Sequence, residues 1–447
     1  MIEIAEKIVK YAVAQKFDEA VAEVYESRRR YLKIANSKID SIVDKNSLSA
    51  NLFLTSRKRV LFISIKKLGD SEIVGSIKKA KAIIAKMKAK EDYNGIAAGP
   101  FKYRENPGYD KKILDYSYED MKDIAEAAIN DAVSHGASNV SGTLLIGYAK
   151  LSLATSKRVA ESETGTFSRL TLRISKNGLS FQDFLASRYI NEIRRQSIAK
   201  EGARFIDGLA TGRIKAGRYD AIYMPSPAGL LLSNVNAMAC IGNVETGSFL
   251  SGKIGKEIAN KNISIYDDGR AKSGINSSAF DDEGFPTQKT KLVENGILKS
   301  YLHNYSTAVK YNTRSTGNAG LVEPSPNTLV FSHRKRVSLD KLVSNVDNGI
   351  LLSSTWYTRF SNYLSGDFST VPRDLAIYIK NGEPRFAIKA AYAKSMLGIR
   401  ISDNIIRMLK NIDYASTRLR QSTSWDSEGS YYFVPDILVR DVKVTVA

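Results

Sequence analysis

The chain has 447 residues, too many for one hydrophobic core, so two or three domains are expected. Apolar residues make up 43% of the chain and charged residues 25%, which is typical of a soluble globular protein. There is no uncharged apolar run long enough for a membrane-spanning helix, and the first residues lack the pattern of a signal peptide. The single cysteine, Cys240, excludes an intramolecular disulfide. A cytoplasmic protein without membrane attachment is predicted.

The formal net charge of +19 raises the question of nucleic-acid binding through phosphate contacts. Short basic clusters at 28–30, 57–59 and 333–336 are distributed along the chain. This distribution favours a solvated surface rich in Lys and Arg, and nucleic acid is disfavoured as a partner. A basic, nucleic-acid-associated regulatory factor therefore stays as an alternative function.

Residues 1–91 are predicted to form a first α+β unit. A helix with one apolar face opens the chain, and strand-like runs follow at 21–25, 30–35, 49–55 and 60–65. The stretch 56–59 fits a hairpin turn between the last two runs. Apolar residues from Ile73 to Met87 recur at helical spacing and close the unit.

A linker is predicted at 92–116, where glycine and proline are frequent and periodicity is absent. Residues 117–212 form a second α+β unit, opened by Ser117 and Asp120 in a capping-box pattern. Strands at 143–154 and 168–175 and a helix near 198–209 complete it.

Residues 213–447 are predicted to be a large β-rich domain around one central helix, so the fold class is α+β. The stretch Pro227–Gly247 is predicted to be the central apolar helix, with Leu231, Leu232, Val235, Met238 and Ala239 on one arc.

Residue chemistry alone yields no catalytic set. The three histidines, His135, His303 and His333, are far apart in sequence, and Cys240 is interpreted as an inert buried thiol. Carboxylates precede glycine at 265–269 and 280–290, where a structural turn is favoured. An autonomous hydrolase that uses Asp281 and Glu283 as an acidic pair is kept as a further alternative.

An ordered series of motifs begins at residue 217. GRYDAIYMPSPAGLLL is followed by SGKIGKEIANKNISIYDDG, by SSAFDDEGFPTQKTKLVENGILKSYLHNYSTA and then by STGNAG. This series resembles the C-terminal domain of the TldD/PmbA (TldE) family, which belongs to a metallopeptidase system. The N-terminal units fit the same family, so the resemblance covers nearly the whole chain.

Catalytic, TldD-type members of that family carry His-Glu-x-x-x-His on the helix after this strand, and a Cys near the C-terminus adds a zinc ligand. Here Ser233, Asn234 and Met238 occupy the motif positions, and the C-terminal Cys is missing. These side chains are poor or soft zinc ligands. The chain therefore resembles the PmbA/TldE-type branch, as do NYLSGDFS (362–369) and the divergent segment 386–412.

The resemblance implies a non-catalytic subunit without a cofactor of its own, which pairs with a zinc-bearing TldD-like chain. A homodimer is the alternative when the chain is alone. The heterodimer would degrade unfolded polypeptides and peptides. The expected walls of a peptide chamber are three segments: Asp281, Asp282, Glu283, Gly284 and Pro286; Thr316, Gly317 and Asn318; and Gly366, Asp367 and Phe368.

Overall fold

The computed structural model describes residues 1–104, 108–388, 398–424 and 429–446. Its first layer is an antiparallel six-stranded sheet with the order β3-β2-β1-β4-β5-β6. The strands are β1 (Glu19–Ala35), β2 (Lys38–Ser56), β3 (Arg59–Ile65), β4 (Asn139–Thr155), β5 (Val159–Lys176) and β6 (Leu179–Ser187).

This sheet joins the two predicted N-terminal units. Strand β1 of the first unit pairs with β4 of the second from Val21↔Thr155 to Ile34↔Gly142. The runs at 21–25 and 30–35 were expected to be separate strands, and this expectation is wrong, because Glu19–Ala35 is one continuous strand. The predicted hairpin turn is confirmed, since Ser56 pairs with Arg59 across it.

Helices cover the sheet in two groups. The helices α1 (Ile2–Ala14) and α2 (Asp70–Ile84) pack on the first unit. The second unit has α3 (Lys111–Leu114), α4 (Tyr118–Ser134), α5 (Ile190–Arg194) and α6 (Ile198–Ile206). The predicted capping box at the start of α4 is confirmed: the Ser117 side chain accepts from the Asp120 backbone N–H, and the Asp120 carboxylate accepts from Ser117.

Two further sheets form the C-terminal domain. One has six strands in the order β11-β10-β9-β12-β22-β21, and the other is an eleven-stranded sheet whose main path runs β15-β16-β19-β23-β8-β14-β17-β18-β7. The strands are β7 (Ala210–Gly212), β8 (Gly217–Tyr223), β9 (Ile263–Asp268), β10 (Lys289–Glu294), β11 (Ile297–Leu298), β12 (Leu329–His333), β13 (Arg336–Val337), β14 (Asn348–Leu352), β15 (Thr355–Asn362), β16 (Asp367–Pro372), β17 (Ala376–Lys380), β18 (Glu383–Ile388), β19 (Ile399–Asn404), β20 (Ile412–Ser416), β21 (Arg420–Ser422), β22 (Tyr432–Val434) and β23 (Ile437–Val446).

The central helix α7 (Pro225–Ala239) lies in the core between these two sheets. The remaining helices are α8 (Ile241–Thr246), α9 (Tyr305–Lys310), α10 (Leu339–Ser344) and α11 (Ile405–Asn411). The opposite face of the eleven-stranded sheet packs with α4, α6 and the N-terminal sheet in a second core. The α+β class is therefore correct, and the C-terminal domain is buried against the units that precede it.

Among the described residues, no helix combines the length and the apolar character that crossing a bilayer requires.

Candidate functional site

Helix α7 starts with prolines in its first turn and ends at Ala239, because Cys240 adopts an extended conformation with φ −62° and ψ 130°. The prediction of one helix over Pro227–Gly247 is therefore wrong, since a separate helix, α8, begins at Ile241. Leu231, Leu232 and Val235 are buried in the core, as the sequence predicted, whereas Met238 is only partly buried. The helix is therefore fixed by packing on both sides.

The side chains at the degenerate motif positions bond to their own helix. Ser233 Oγ donates to Leu230 O at 3.1 Å, and Asn234 Nδ2 donates to the same oxygen at 2.9 Å. Neither side chain presents an anionic or imidazole donor, and a thioether at Met238 is a soft ligand. The described part of the chain contains no group of three or more His, Cys, Asp or Glu side chains arranged to hold a metal. These residues do not fit a zinc ion.

The thiol of Cys240 is 4% exposed. Burial, together with the nearby negative charge of Asp267, raises the pKa of this thiol to about 12. It stays protonated at neutral pH and is a poor nucleophile, as the sequence predicted.

Asp267, on β9, is a fully buried carboxylate held by amide groups, and we call this arrangement the Asp267 amide cage. Its Oδ1 accepts from Asn236 Nδ2 at 2.9 Å and from the Asn327 backbone N–H at 2.8 Å. Its Oδ2 accepts from Asn318 Nδ2 at 2.7 Å and from Asn327 Nδ2 at 3.1 Å. Burial raises the pKa of Asp267 to about 6, and the four amide hydrogen bonds oppose that rise.

The cage links helix α7, through Asn236, to strand β9 and to the loop that contains Asn318. Asn236 lies outside the predicted apolar arc of α7, yet it is 3% exposed and hydrogen-bonded to Asp267. Asn318, expected in a chamber wall, is 1% exposed and donates its amide to the cage. The loop is therefore anchored from within.

The turn at Asp281 is built by its own carboxylate. Oδ1 accepts from the backbone N–H groups of Glu283 at 3.0 Å and Phe285 at 2.9 Å, and Oδ2 accepts from Ala319 N at 2.9 Å. The structural turn favoured by the sequence is therefore present. Unlike an ordinary surface turn, it is buried, because it packs beneath the N-terminal sheet.

Four carboxyl groups meet at this junction, and we call them the junction carboxyls: Glu23 of β1 with Asp281, Asp282 and Glu283 of the turn. Glu23 and Asp282 share a side-chain hydrogen bond. Burial raises the pKa of Asp281 to about 7 and that of Asp282 to about 6. Burial, followed by neighbouring negative charge, raises the pKa of Glu23 and of Glu283 well above the usual range. Glu23 and Glu283 are therefore the members of this group most disposed to hold a proton near neutral pH.

A cavity of about 280 Å³ lies beside the junction carboxyls, between the N-terminal sheet and the C-terminal loops. Tyr25 and Leu151 line it from the sheet, and Asp281 and Asp282 line it from the turn. Its rim is held by Arg188, which is 2% exposed and donates to four backbone carbonyls, those of Gly108, Gly274, Ile275 and Ser277. A buried guanidinium with this many acceptors fixes the surrounding loops.

The second predicted segment lies against the first. Gly317 has φ +67°, and a Cβ there would come within 2.6 Å of Pro286 O. Gly284 is also left-handed, with φ +76°. Thr316 Oγ1 accepts from His303 N at 2.8 Å, which fixes the loop to the start of α9. The structure therefore brings 281–286 and 316–318 together.

Gly366–Phe368 lies on the eleven-stranded sheet, at the turn between β15 and β16. Asp367 is exposed and accepts from Asn404 Nδ2 at 2.8 Å, and Phe368 is buried beside Phe360. This segment packs on Phe249 and Ile405 through Gly366. Of the family-like stretch 386–412, residues 389–397, including Ala391–Lys394, lie outside the described residues.

The fold and the motif series define the class of the protein. Residues 216–446, just over half of the chain, match the PmbA/TldA metallopeptidase C-terminal domain. The chain belongs to the PmbA/TldD metallopeptidase family.

Relatives and solved structures agree with this assignment. The chain is 32% identical over 304 residues to an uncharacterized protein of Methanocaldococcus jannaschii, covering 66% of this chain and 70% of that one. It is 24% identical over 343 residues to a metalloprotease of Methanothermobacter thermautotrophicus, covering 70% and 72%. The crystal structure of TldE from Thermococcus kodakarensis superposes with a TM-score of 0.84 at 20% identity, over 99% of this chain and 100% of that one, which shows a shared fold.

Proposed function

We propose that this chain is a non-catalytic, TldE-like subunit that pairs with a zinc-bearing TldD-like chain, and that the pair degrades unfolded polypeptides and peptides in the cytoplasm. The observation that carries the proposal is the chemistry of helix α7. The side chains of Ser233 and Asn234 are neutral and bond to their own helix at the positions where the catalytic branch has His and Glu.

In this proposal the chain needs no zinc of its own and contributes enclosure of the peptide. The cavity beside the junction carboxyls is bordered by the Asp281–Pro286 turn, with Thr316–Asn318 packed behind it. The Asp267 amide cage and Arg188 hold the surrounding loops in place. Gly366–Phe368 is assigned to the same role on family resemblance.

The alternative of an autonomous hydrolase is less well supported. All of the accepting positions of Asp281 described above are taken by backbone N–H groups, and Glu283 accepts from Ala97 N at 3.4 Å and Tyr305 N at 3.3 Å. A carboxylate that maintains a turn in this way is poorly placed to move a proton on a substrate.

The test begins with tagged chain recovered from native cells and with sequencing of the chain that copurifies. We expect a partner with His-Glu-x-x-x-His, stoichiometric zinc in the complex by elemental analysis, and hydrolysis of a fluorescent unfolded polypeptide that a chelator abolishes. Replacing the motif Glu of the partner with Gln should abolish hydrolysis. The variant Ser233→Ala/Asn234→Ala of this chain should keep the rate within about twofold.

Stoichiometric zinc on the purified chain alone, with chelator-sensitive hydrolysis, would contradict the proposal. So would a loss of hydrolysis in the Ser233→Ala/Asn234→Ala variant of an intact complex, because the motif positions of this chain would then take part in the chemistry.

A further inference from the structure

The positive charge of the chain is concentrated in one segment. Residues 57–90 contain eleven Lys or Arg and two acidic residues, a net charge of +9 out of +19 for the whole chain. For this segment, the expectation of evenly spread charge is wrong. The segment comprises the β2–β3 turn, strand β3, helix α2 and the residues that follow it.

Most of these cations have no carboxylate partner. Lys58 pairs with Glu91 and Lys90 with Glu323. The ion pairs of the described residues include none of the other nine. We define the α2 basic surface as the exposed lysines of this set: Lys66, Lys67, Lys78, Lys79, Lys86 and Lys88.

The surface has a fixed shape. Helix α2 buries Ile73, Ile77 and Ile84 in the core, whereas Lys78 and Lys79 are exposed on its other side. Arg59 Nε donates to Met87 O at 2.8 Å, which holds the residues after the helix against the β2–β3 turn. Lys78 and Lys79 lie on α2, whereas Lys66 and Lys67 precede the helix and Lys86 and Lys88 follow it. The 15 residues of α2 that separate these two end pairs extend about 22 Å, the length occupied by roughly six successive phosphates of one DNA strand.

We propose that the α2 basic surface binds the phosphate backbone of double-stranded nucleic acid without reading its sequence. Cations without a carboxylate partner among the described residues, held on α2 and beyond its two ends, complement the charge of a duplex, and binding gains free energy when counterions are released. A membrane surface is a poorer match, because α2 turns its apolar stripe into the core rather than toward lipid. A protein partner is also less well matched, because nine of the eleven cations are lysine, which protein interfaces disfavour.

The test is fluorescence anisotropy of a labelled duplex of about 24 base pairs, titrated with the full chain between about 50 and 200 mM salt. Each phosphate neutralised contributes about −0.9 to the slope of log K against log salt. The variant Lys78→Gln/Lys79→Gln/Lys86→Gln/Lys88→Gln should reduce the magnitude of that slope by about 3 to 4.

A matched variant, Lys111→Gln/Lys112→Gln/Lys256→Gln/Lys261→Gln, removes four exposed lysines elsewhere and should change the slope by less than about 1. Circular dichroism confirms that both variants are folded. Equal effects of the two variants would overturn the assignment, because binding would then follow net charge alone. Absence of duplex binding at about 50 mM salt would overturn it, as would binding only to vesicles that contain phosphatidylserine.

Discussion

Two regions of the molecule bury carboxyl groups in different ways, and the comparison shows how each is kept. In the Asp267 amide cage, four N–H donors surround one carboxylate, and the group is retained as an anion. At the junction, carboxyl groups meet one another, and Glu23 and Asp282 share a hydrogen bond that requires a proton. The cage is therefore stabilised by N–H dipoles, and the Glu23–Asp282 pair of the junction by a shared proton.

Replacing a buried acid by its isosteric amide should change the free energy of unfolding in opposite directions in the two regions. The largest change is expected at Asp267. At pH 8, where Asp267 is ionised, Asp267→Asn places an N–H group among N–H donors and should lower the free energy of unfolding by about 3 kcal/mol. Chemical denaturation followed by circular dichroism measures this change.

The control for that variant is Asp347→Asn, because Asp347 forms an exposed pair with Lys380 and its loss should cost less than about 0.5 kcal/mol. If Asp267→Asn were as mild as the control, the carboxylate would not be the centre of the cage.

The contact between the two regions gives the next largest effect. Gly317 precedes Asn318 of the cage and lies against Pro286 of the junction turn. Gly317→Ala adds a methyl group 2.6 Å from Pro286 O at a positive φ and should cost about 2 kcal/mol in the same assay.

Gly178→Ala isolates the backbone contribution, since its φ is +75° and nothing lies within 4 Å of the added Cβ. It should cost about 1 kcal/mol. An equal decrease in the free energy of unfolding for the two variants would mean that the loop containing Gly317 moves away from Pro286 without cost.

The smallest effect, and one of opposite sign, is expected at Glu23. The junction carboxyls have folded pKa values above their unfolded ones, near 7 for Asp281 and near 6 for Asp282, so the folded state holds more protons above about pH 4. Stability should therefore fall as the pH rises from about 4 to 7. In Glu23→Gln the side-chain amide can donate a hydrogen bond to Asp282 at every pH. The variant should raise the free energy of unfolding by about 1 kcal/mol at pH 8, and this free energy should depend less on pH.

Denaturation at a series of pH values measures this dependence. Glu26→Gln is the control, because Glu26 is partly exposed and hydrogen-bonded to Tyr148 OH. A destabilisation by Glu23→Gln that is independent of pH would show that the junction is not held by protons.

Local patterns in the sequence predicted much of the fold. The capping box of α4, the β2–β3 turn and the apolar arc of α7 depend on residues close in sequence, and the structure contains all three. The pairing of β1 with β4 was not predicted, because the paired residues are far apart and alternation does not specify a neighbour.

The candidate site was predicted only in part, for the same reason. The turn chemistry of Asp281 was recognisable, but its contact with Glu23 depends on the docking of the turn under the sheet. Asn236 was not predicted, because it is not one of the motif positions and its partner Asp267 is 31 residues away. The available signal was the presence of Asn236 in an apolar helix together with the Asp267-Asp268-Gly269 turn, which could supply its hydrogen-bond partner.

The shared N-terminal sheet has a consequence for synthesis on the ribosome. Strand β1 ends at Ala35, but its partner β4 ends at Thr155, so about 120 more residues must be added before the pair is complete. At typical elongation rates this takes on the order of ten seconds. Throughout that time the nascent chain presents a 17-residue strand edge with unpaired N–H and C=O groups, and this is the stage at which a chaperone would protect it from aggregation.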